Sequence, residues 1–179
     1  MSVPAARPPR SEGEPRDPIG PKSTGPDAVP IRGHRAATLI ERARGPWRVT
    51  VSEASMAPTI EPGDWLLVDP TTTRWPRTGS IVVFREPDTD LLAIKRVAAG
   101  PGEGVELDEG HLVLRADEAW LLSDASTAEL VARGFGEPVD SRRYGPVPVE
   151  MLVGRAWFRY GPLRRVGRIG TLDAVRPAR

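Results

Sequence analysis

The stretch VTVSEASMAPTIEPGDWLLVD, from Val49 to Asp69, shows the pattern that recurs through the chain after Trp47. It begins with alternating polar and apolar residues and ends with the apolar run WLLV, and both patterns are typical of short β-strands. Between them lies a turn of small residues and prolines that carries Ser55. The stretch therefore predicts two strands joined by a rigid, apolar turn with a hydroxyl on it.

The same signals recur along the chain after Trp47. Short apolar runs alternate with turns that contain Gly and Pro, and only Thr127–Arg133 predicts a helix in this part of the chain. Many short strands at close spacing predict a mainly β domain folded on itself. The predicted strands are Arg48–Ser52, Trp65–Val68, Ile81–Phe84, Leu91–Val97, His111–Leu114, Trp120–Leu122 and Leu152–Phe158.

Composition divides the chain into four parts. Residues 1–33 are predicted to be a disordered tail, because eight prolines in the first 30 residues leave too little apolar surface to offset chain entropy. Residues 34–45 predict a short helix or linker, and residues 46–163 the β domain. Residues 164–179 predict a basic C-terminal tail.

Composition also excludes several classes of function. A net charge of +1 gives no reason to expect a nucleic-acid partner, and zero cysteines exclude disulfides, thiolate catalysis and cysteine zinc sites. No nucleotide-binding glycine motif and no HExxH motif occur, so no cofactor or metal is predicted. No apolar run has the length of a membrane span or a signal peptide, so the sequence predicts a soluble, cytoplasmic chain.

A serine nucleophile needs a base within reach, and histidine is a poor candidate in this sequence. His34 lies at the edge of the predicted tail, and His111 follows Glu109-Gly110 in a predicted hairpin turn. Both positions are more typical of surface histidines than of catalytic ones.

Lysine is the alternative base, and the chain has only Lys22 and Lys95. Lys95 lies in the apolar run LLAIKRVAAG, beside Ile94 and close to Leu92 and Val97. Burial among apolar groups lowers the pKa of lysine, and a neutral amine can accept the proton of a serine hydroxyl. The other interpretation of Lys95 is an edge position with its amine in water.

Four stretches in order resemble the type I signal peptidase family over residues 49–160. They are SEASMAPTIEPGDWLLVD, GSIVVFREP, LLAIKRV and the segment LSDAS…PVDSRRYGPVPVEMLVGRAWFRY. The resemblance implies a twisted, folded-over antiparallel sheet, a fold that self-cleaving repressors share. It also implies a serine endopeptidase that uses a Ser-Lys dyad.

By this resemblance Ser55 is the nucleophile and Lys95 its general base, and the backbone N–H of the serine supplies part of an oxyanion hole. Met56 and Ile94 would line an apolar cleft that accepts small residues. The resemblance assigns structural support of the lysine strand to a further set of residues. These are Asp124, Asp140, Ser141 and Arg142.

The sequence departs from the family pattern at several positions. Glu53 stands where the family usually has Gly or Ser, and we expect its side chain to face outward, away from the oxyanion. Gly-Asp-Asn is replaced by Ser-Asp-Ala at 123–125, and Pro138 replaces a serine that contacts the lysine amine in some members. Residues 125–138 carry a helix-like insertion, and the N-terminus shows no membrane anchor.

These features predict a peptidase that cleaves signal or leader peptides from precursors after small residues. Its partner would be a precursor polypeptide bound as an extended strand. The five arginines after Gly161 would suit a peripheral contact with an anionic membrane, although a solvated basic end explains them as well.

Three alternatives remain. The chain would be a weak or inactive binding domain of the same fold if the departures abolish activity. It would be a maturation protease for one soluble metalloenzyme precursor if it is similar to the anchorless proteases of nickel superoxide dismutase. A self-cleaving repressor is disfavoured, because residues 1–45 are too proline-rich to form a DNA-binding helix-turn-helix.

Overall fold

The structure is a computed structural model that describes residues 28–30 and 45–170. It contains eleven strands in these ranges. They are β1 (Ala28–Pro30), β2 (Trp47–Thr50), β3 (Trp65–Asp69), β4 (Ile81–Arg85), β5 (Leu92–Ala99), β6 (Gly104–Leu107), β7 (Gly110–Val113), β8 (Glu118–Leu122), β9 (Val147–Pro148), β10 (Leu152–Gly161) and β11 (Gly167–Arg168).

Helices are few and short. Two α-helices, α1 (Thr127–Ala132) and α2 (Ser141–Tyr144), follow β8, and short 3-10 helices span Val149–Met151 and Leu163–Arg165. The described residues contain no helix that is long and apolar enough to cross a bilayer. The predicted mainly β fold is therefore confirmed.

Nine strands form one curled sheet in the order β1-β2-β3-β10-β4-β5-β8-β9, with β11 paired to β10. All pairs are antiparallel except β1 with β2. Strands β6 and β7 form a separate hairpin. Because β10 lies between β3 and β4, it joins β1–β3, whose last two strands flank Ser55 in the chain, to the strands that include the Lys95 strand β5.

The core lies on both faces of β4. Ile81 and Val83 pack in a cluster with Leu66, whereas Val82 and Phe84 pack in a second cluster with Leu121. A strand that is buried on both faces reads as a continuous apolar run, which is how IVVF appears in the sequence. Successive side chains point to opposite faces, and each face has its own apolar neighbours.

Parts of the predicted domain boundaries fall outside the described residues. Of the predicted tail, only Ala28–Pro30 is described, as strand β1, and the predicted helix at 34–45 lies outside except for its last residue. At the other end, β11 lies beyond residue 163 and adds to the edge of β10. Within the predicted basic tail, Gly167 and Arg168 thus belong to the sheet.

Candidate active site

Ser55 lies in a compact turn between β2 and β3. The turn is closed by a hydrogen bond from the N–H of Ala57 to the carbonyl of Ala54 (2.9 Å) and by one from Ile60 to Met56 (2.8 Å). Met56 and Ile60 are completely buried in the core and hold the turn from below. Ser55 itself is half-buried. Its hydroxyl thus remains accessible on a backbone that the turn hydrogen bonds and the two buried side chains fix in place.

Lys95 lies in the middle of β5, where it faces Ser55. Its Nζ is 2.9 Å from the Oγ of Ser55. The side chain is nearly completely buried, and its strand pairs with β4 through Val82. The structure therefore brings together the two residues that the sequence analysis selected, and the amine is not in bulk water.

The pKa of Lys95 is lowered from its ordinary value of 10.5 by burial. Four carboxylates act in the opposite direction, namely those of Asp140, Glu53, Glu86 and Asp124. Burial lowers the pKa because it removes the hydration that stabilises an ammonium ion. This effect is larger than that of the carboxylates, so the net change in the pKa is downward. The neutral amine, which can accept a proton, is thus more populated than on a free lysine.

A cleft of about 330 Å³ opens beside this pair. Three segments form its walls: the end of β2 with the serine turn, the start of β5, and the loop that follows α1. Its lining is mainly apolar, with carboxylates at Glu53, Glu86 and Glu137. The lining residues are Val51–Met56, Glu86, Leu91–Lys95, Leu130 and Phe135–Val139.

The lysine strand is held by a buried ion pair. The guanidinium of Arg96 donates to both carboxylate oxygens of Asp124 (2.7 and 2.5 Å) and to the carbonyl of Gly79 (2.6 Å). Both side chains are almost completely buried. Because Arg96 follows Lys95 in β5, this pair fixes the backbone from which the amine projects.

Asp140, Ser141 and Arg142 act on the neighbouring strand. Asp140 accepts hydrogen bonds from Arg142 and from the N–H of Ser123, and Ser141 Oγ accepts one from the N–H of Leu121. Burial raises the pKa of Asp140, but these hydrogen bonds outweigh it and hold the pKa below its ordinary value. The carboxylate is therefore charged and anchors β8, the partner of β5.

A second arginine cluster, absent from the sequence analysis, holds the serine turn from behind. Arg159 Nη1 donates to the carbonyl of Thr59 (2.8 Å) and to Asp64 Oδ2 (3.0 Å). Arg165 Nη2 reaches the carbonyls of Pro58 (3.1 Å) and Thr59 (3.3 Å), and its Nη1 is 3.3 Å from the same Asp64 oxygen. We call Asp64, Arg159 and Arg165 the turn clamp.

The residues at which the sequence departs from the family pattern lie in or next to the cleft. Glu53 is exposed at the edge of the cleft, and its charge raises the pKa of Lys95. Pro138 lines the cleft, and the N–H of Ala125 donates to the carbonyl of Ser55 (3.1 Å). The insertion contains α1, as predicted.

Of the two histidines, only His111 lies in the described part of the chain, and it does not line the cleft. The ring of His111 is exposed on the β6–β7 hairpin, where its Nδ1 is 2.8 Å from Glu106, and His34 lies outside the described residues. Across residues 45–170, no cluster of three or more His, Asp or Glu side chains is arranged to hold a metal ion.

The chain is similar in sequence to known peptidases. Residues 37–124 match the family model described as signal peptidase, peptidase S26. The chain is 28% identical to a signal peptidase I of Leptolyngbya laminosa, over 94% of this chain and 92% of that protein. It is 31% identical to a probable signal peptidase I-1 of Synechocystis sp., over 70% of this chain and 76% of that protein.

A further relative is thylakoidal processing peptidase 1 of Arabidopsis thaliana, at 28% identity over 65% of this chain and 42% of that protein. The chain belongs to the type I signal peptidase family, which confirms the resemblance seen in the sequence. It is accordingly a peptidase.

Proposed function

We propose that this protein is a serine endopeptidase that removes signal or leader peptides from precursor proteins, with Ser55 as nucleophile and Lys95 as general base. The observation that supports this most directly is the 2.9 Å separation of Lys95 Nζ and Ser55 Oγ in a buried setting. The relatives named signal peptidase and processing peptidase support the choice of substrate class.

In the proposed reaction the neutral amine of Lys95 takes the proton of Ser55 while Oγ bonds to the carbonyl carbon of the scissile peptide. The C–N bond then breaks, the proton passes from Lys95 to the leaving amine, and an acyl-serine ester remains. Water then attacks the ester carbon and gives a proton to Lys95. The bond between this carbon and Oγ breaks, the proton passes from Lys95 to Oγ, and the new carboxyl end leaves with Ser55 and the neutral amine restored. The backbone N–H of Ser55 would donate to the oxyanion.

The substrate would bind as an extended strand beside β5. Strand β8 pairs with β5 only from Arg96 onward, so within the described sheet Leu92–Lys95 has a strand partner on one side alone, β4. Such an edge suits the addition of a peptide strand. The same edge forms one wall of the cleft and leads to Lys95.

The residue before the cut would be small. Met56 and Ile94, both buried, narrow the apolar cleft next to Ser55. Small residues of the A-x-A type precede the cleavage site of secretory signal peptides, and they suit a shallow apolar space. Met56 and Ile94 are thus proposed as substrate-binding residues.

We also propose a peripheral contact with an anionic membrane through the turn between β10 and β11. Leu163 is 90% exposed at this turn, and the neighbouring Arg164 and Val166 are exposed too. An apolar tip beside cationic side chains suits a surface of anionic headgroups. Sedimentation with phosphatidylglycerol vesicles tests this, since Leu163→Asp should lower the bound fraction and neutral vesicles should bind little.

The function is tested by incubating the purified protein with a serine-reactive β-lactam and with peptides that carry Ala before the expected cut. An adduct mass on Ser55, together with cleavage after Ala, is the expected result. Cleavage without dependence on Ser55 would refute the nucleophile. Absence of both adduct and cleavage would favour the alternative of an inactive binding domain. A marked preference for one soluble metalloenzyme precursor would favour the maturation protease.

A further inference from the structure

The insertion between β8 and α2 is an ordered part of the cleft. It begins with a capping box, in which the side chain of Ser126 accepts from the N–H of Glu129 and the side chain of Glu129 accepts from the N–H of Ser126. This arrangement starts α1 at a defined residue. Gly134 then ends it with a φ of +79°, a conformation that glycine adopts without strain.

The insertion is anchored to both ends of the serine turn. Leu130, nearly completely buried, packs against Ala54 and Ala57, which flank Ser55 and Met56. At the far end of the turn the guanidinium of Arg133 reaches both carboxylate oxygens of Glu61 (2.6 and 3.3 Å). Together with the hydrogen bond from the N–H of Ala125 to the carbonyl of Ser55, these apolar and ionic contacts fix the position of the insertion relative to Ser55.

Beyond α1 the chain turns back along the cleft. The N–H of Phe135 donates to the carbonyl of Leu130 (2.9 Å), and residues 135–139 then line the same cleft as the serine turn and the start of β5. Phe135 lines the cleft and is 41% exposed. An aromatic ring that remains this open beside an apolar cleft has surface available for a bound side chain.

We propose that Phe135 is a specificity-determining residue that contacts a large apolar side chain of the substrate. This inference rests on the proposed function. In an extended peptide, successive side chains point to opposite sides. A peptide along Leu92–Lys95 would therefore place one set of side chains toward Met56 and Ser55. The alternate set would lie toward the wall formed by Phe135, and there a leucine gains apolar contact that an alanine does not.

The test compares peptides that differ at one position, Leu against Ala, at each site on either side of the cut. The wild-type enzyme should show a higher kcat/KM for Leu at one position away from the cut. Phe135→Ala should reduce that Leu-to-Ala ratio about fivefold, within the range by which apolar pockets discriminate side chains. Phe135→Leu should retain most of the ratio, because it keeps an apolar contact.

Val131→Ala is the matched control. Val131 is on the same insertion and is 59% exposed, but it is not among the residues that line the cleft. Its variant should leave the ratio within about twofold of wild type, and circular dichroism should show that all variants are folded. A ratio that Phe135→Ala leaves unchanged at every position overturns the inference.

The same comparison in a Ser55→Ala background separates this inference from the proposed function. Peptide binding, measured by fluorescence anisotropy, does not require the nucleophile. If the wild type cleaves no peptide, the proposed function fails. The Leu-to-Ala ratio of dissociation constants, with and without Phe135, then supports or overturns the role of this residue.

Discussion

The amine of Lys95 and the hydroxyl of Ser55 lie 2.9 Å apart, although 40 residues separate them in the chain. The contact depends on β5 and on the serine turn, and the strands that flank this turn, β2 and β3, are separated from β5 in the sheet by β10 and β4. The serine turn does not depend on the Ser55 hydroxyl or the Lys95 amine for its conformation, because its backbone hydrogen bonds and the buried side chains of Met56 and Ile60 hold it. Replacing either side chain should therefore affect chemistry more than folding.

Ser55→Ala and Lys95→Ala should each remove most of the peptidase activity. The two groups act in one proton transfer, so the double variant should be scarcely less active than either single variant. Steady-state kinetics with an Ala-containing peptide measures this, and a melting curve checks that each variant is folded. If Lys95→Ala keeps near wild-type kcat/KM, the proposed dyad is wrong.

Activity should rise with pH as Lys95 loses its proton, with a midpoint below 10.5 because burial lowers this pKa. Glu53 opposes the effect of burial, so Glu53→Gln should move the midpoint to lower pH. Glu137→Gln is the control, since Glu137 also lines the cleft but is not among the charges that act on Lys95. A shift of the kcat/KM profile to higher pH in Glu53→Gln would contradict the assignment of the titrating group.

Lys95→Met should be inactive but more stable than the wild type at neutral pH. The folded pKa of Lys95 lies below its ordinary value of 10.5, so the unfolded chain binds the extra proton more readily. The free energy of unfolding of the wild type should thus rise with pH between the folded pKa of Lys95 and its ordinary value of 10.5. Over the same range the greater stability of Lys95→Met relative to the wild type should shrink.

Melting temperatures between pH 6 and pH 10 measure this difference. Ser55→Ala serves as the control, because it is expected to be inactive yet keeps the buried amine and should keep the wild-type pH dependence. A Lys95→Met protein that melts below the wild type at pH 7 would show that burial of the amine costs little.

Arg165→Ala should lower kcat about tenfold with KM changed less than threefold, because a small displacement of the serine turn is costly to a positioned nucleophile. Arg165 contacts the carbonyls of Pro58 and Thr59 and does not touch Lys95, so the pH midpoint should stay in place. Arg165→Lys should restore part of kcat.

The neighbouring Arg164 provides the matched control for the turn clamp. Its side chain is exposed, whereas that of Arg165 is mostly covered by its partners in the clamp. Arg164→Ala should therefore keep wild-type kcat and KM. An equal loss in both variants would mean that overall charge, and not positioning of the turn, explains the effect.

Strands with one or two buried faces were predictable from the sequence. Burial on one face requires alternating apolar and polar residues, and burial on both faces requires a continuous apolar run. Strand β4 appears as an apolar run, and β5 begins and ends within two residues of its predicted bounds. Strand β6 was not predicted, because Gly104–Leu107 is mostly exposed and forms a strand only through its pairing with β7. Exposed residues carry little periodic signal.

In the site, too, the residues with a local sequence signal were predictable and those that depend on tertiary contacts were not. Lys95 was recognisable because a lone lysine on an apolar strand conflicts with its surroundings, and Ser55 because its turn carries a family motif. Arg165 gave no such signal, since it reads as one of several tail arginines and meets Pro58 from 107 positions away. Contacts between residues this far apart in the chain depend on tertiary pairing that local sequence does not encode.

The position of β10 between β3 and β4 has a consequence for biosynthesis. A chain emerging from the ribosome up to Pro148 already contains Ser55 and Lys95, yet it lacks the strand that unites the two halves of the sheet. Hydrolytic capacity should therefore arise only after translation of Leu152–Gly161.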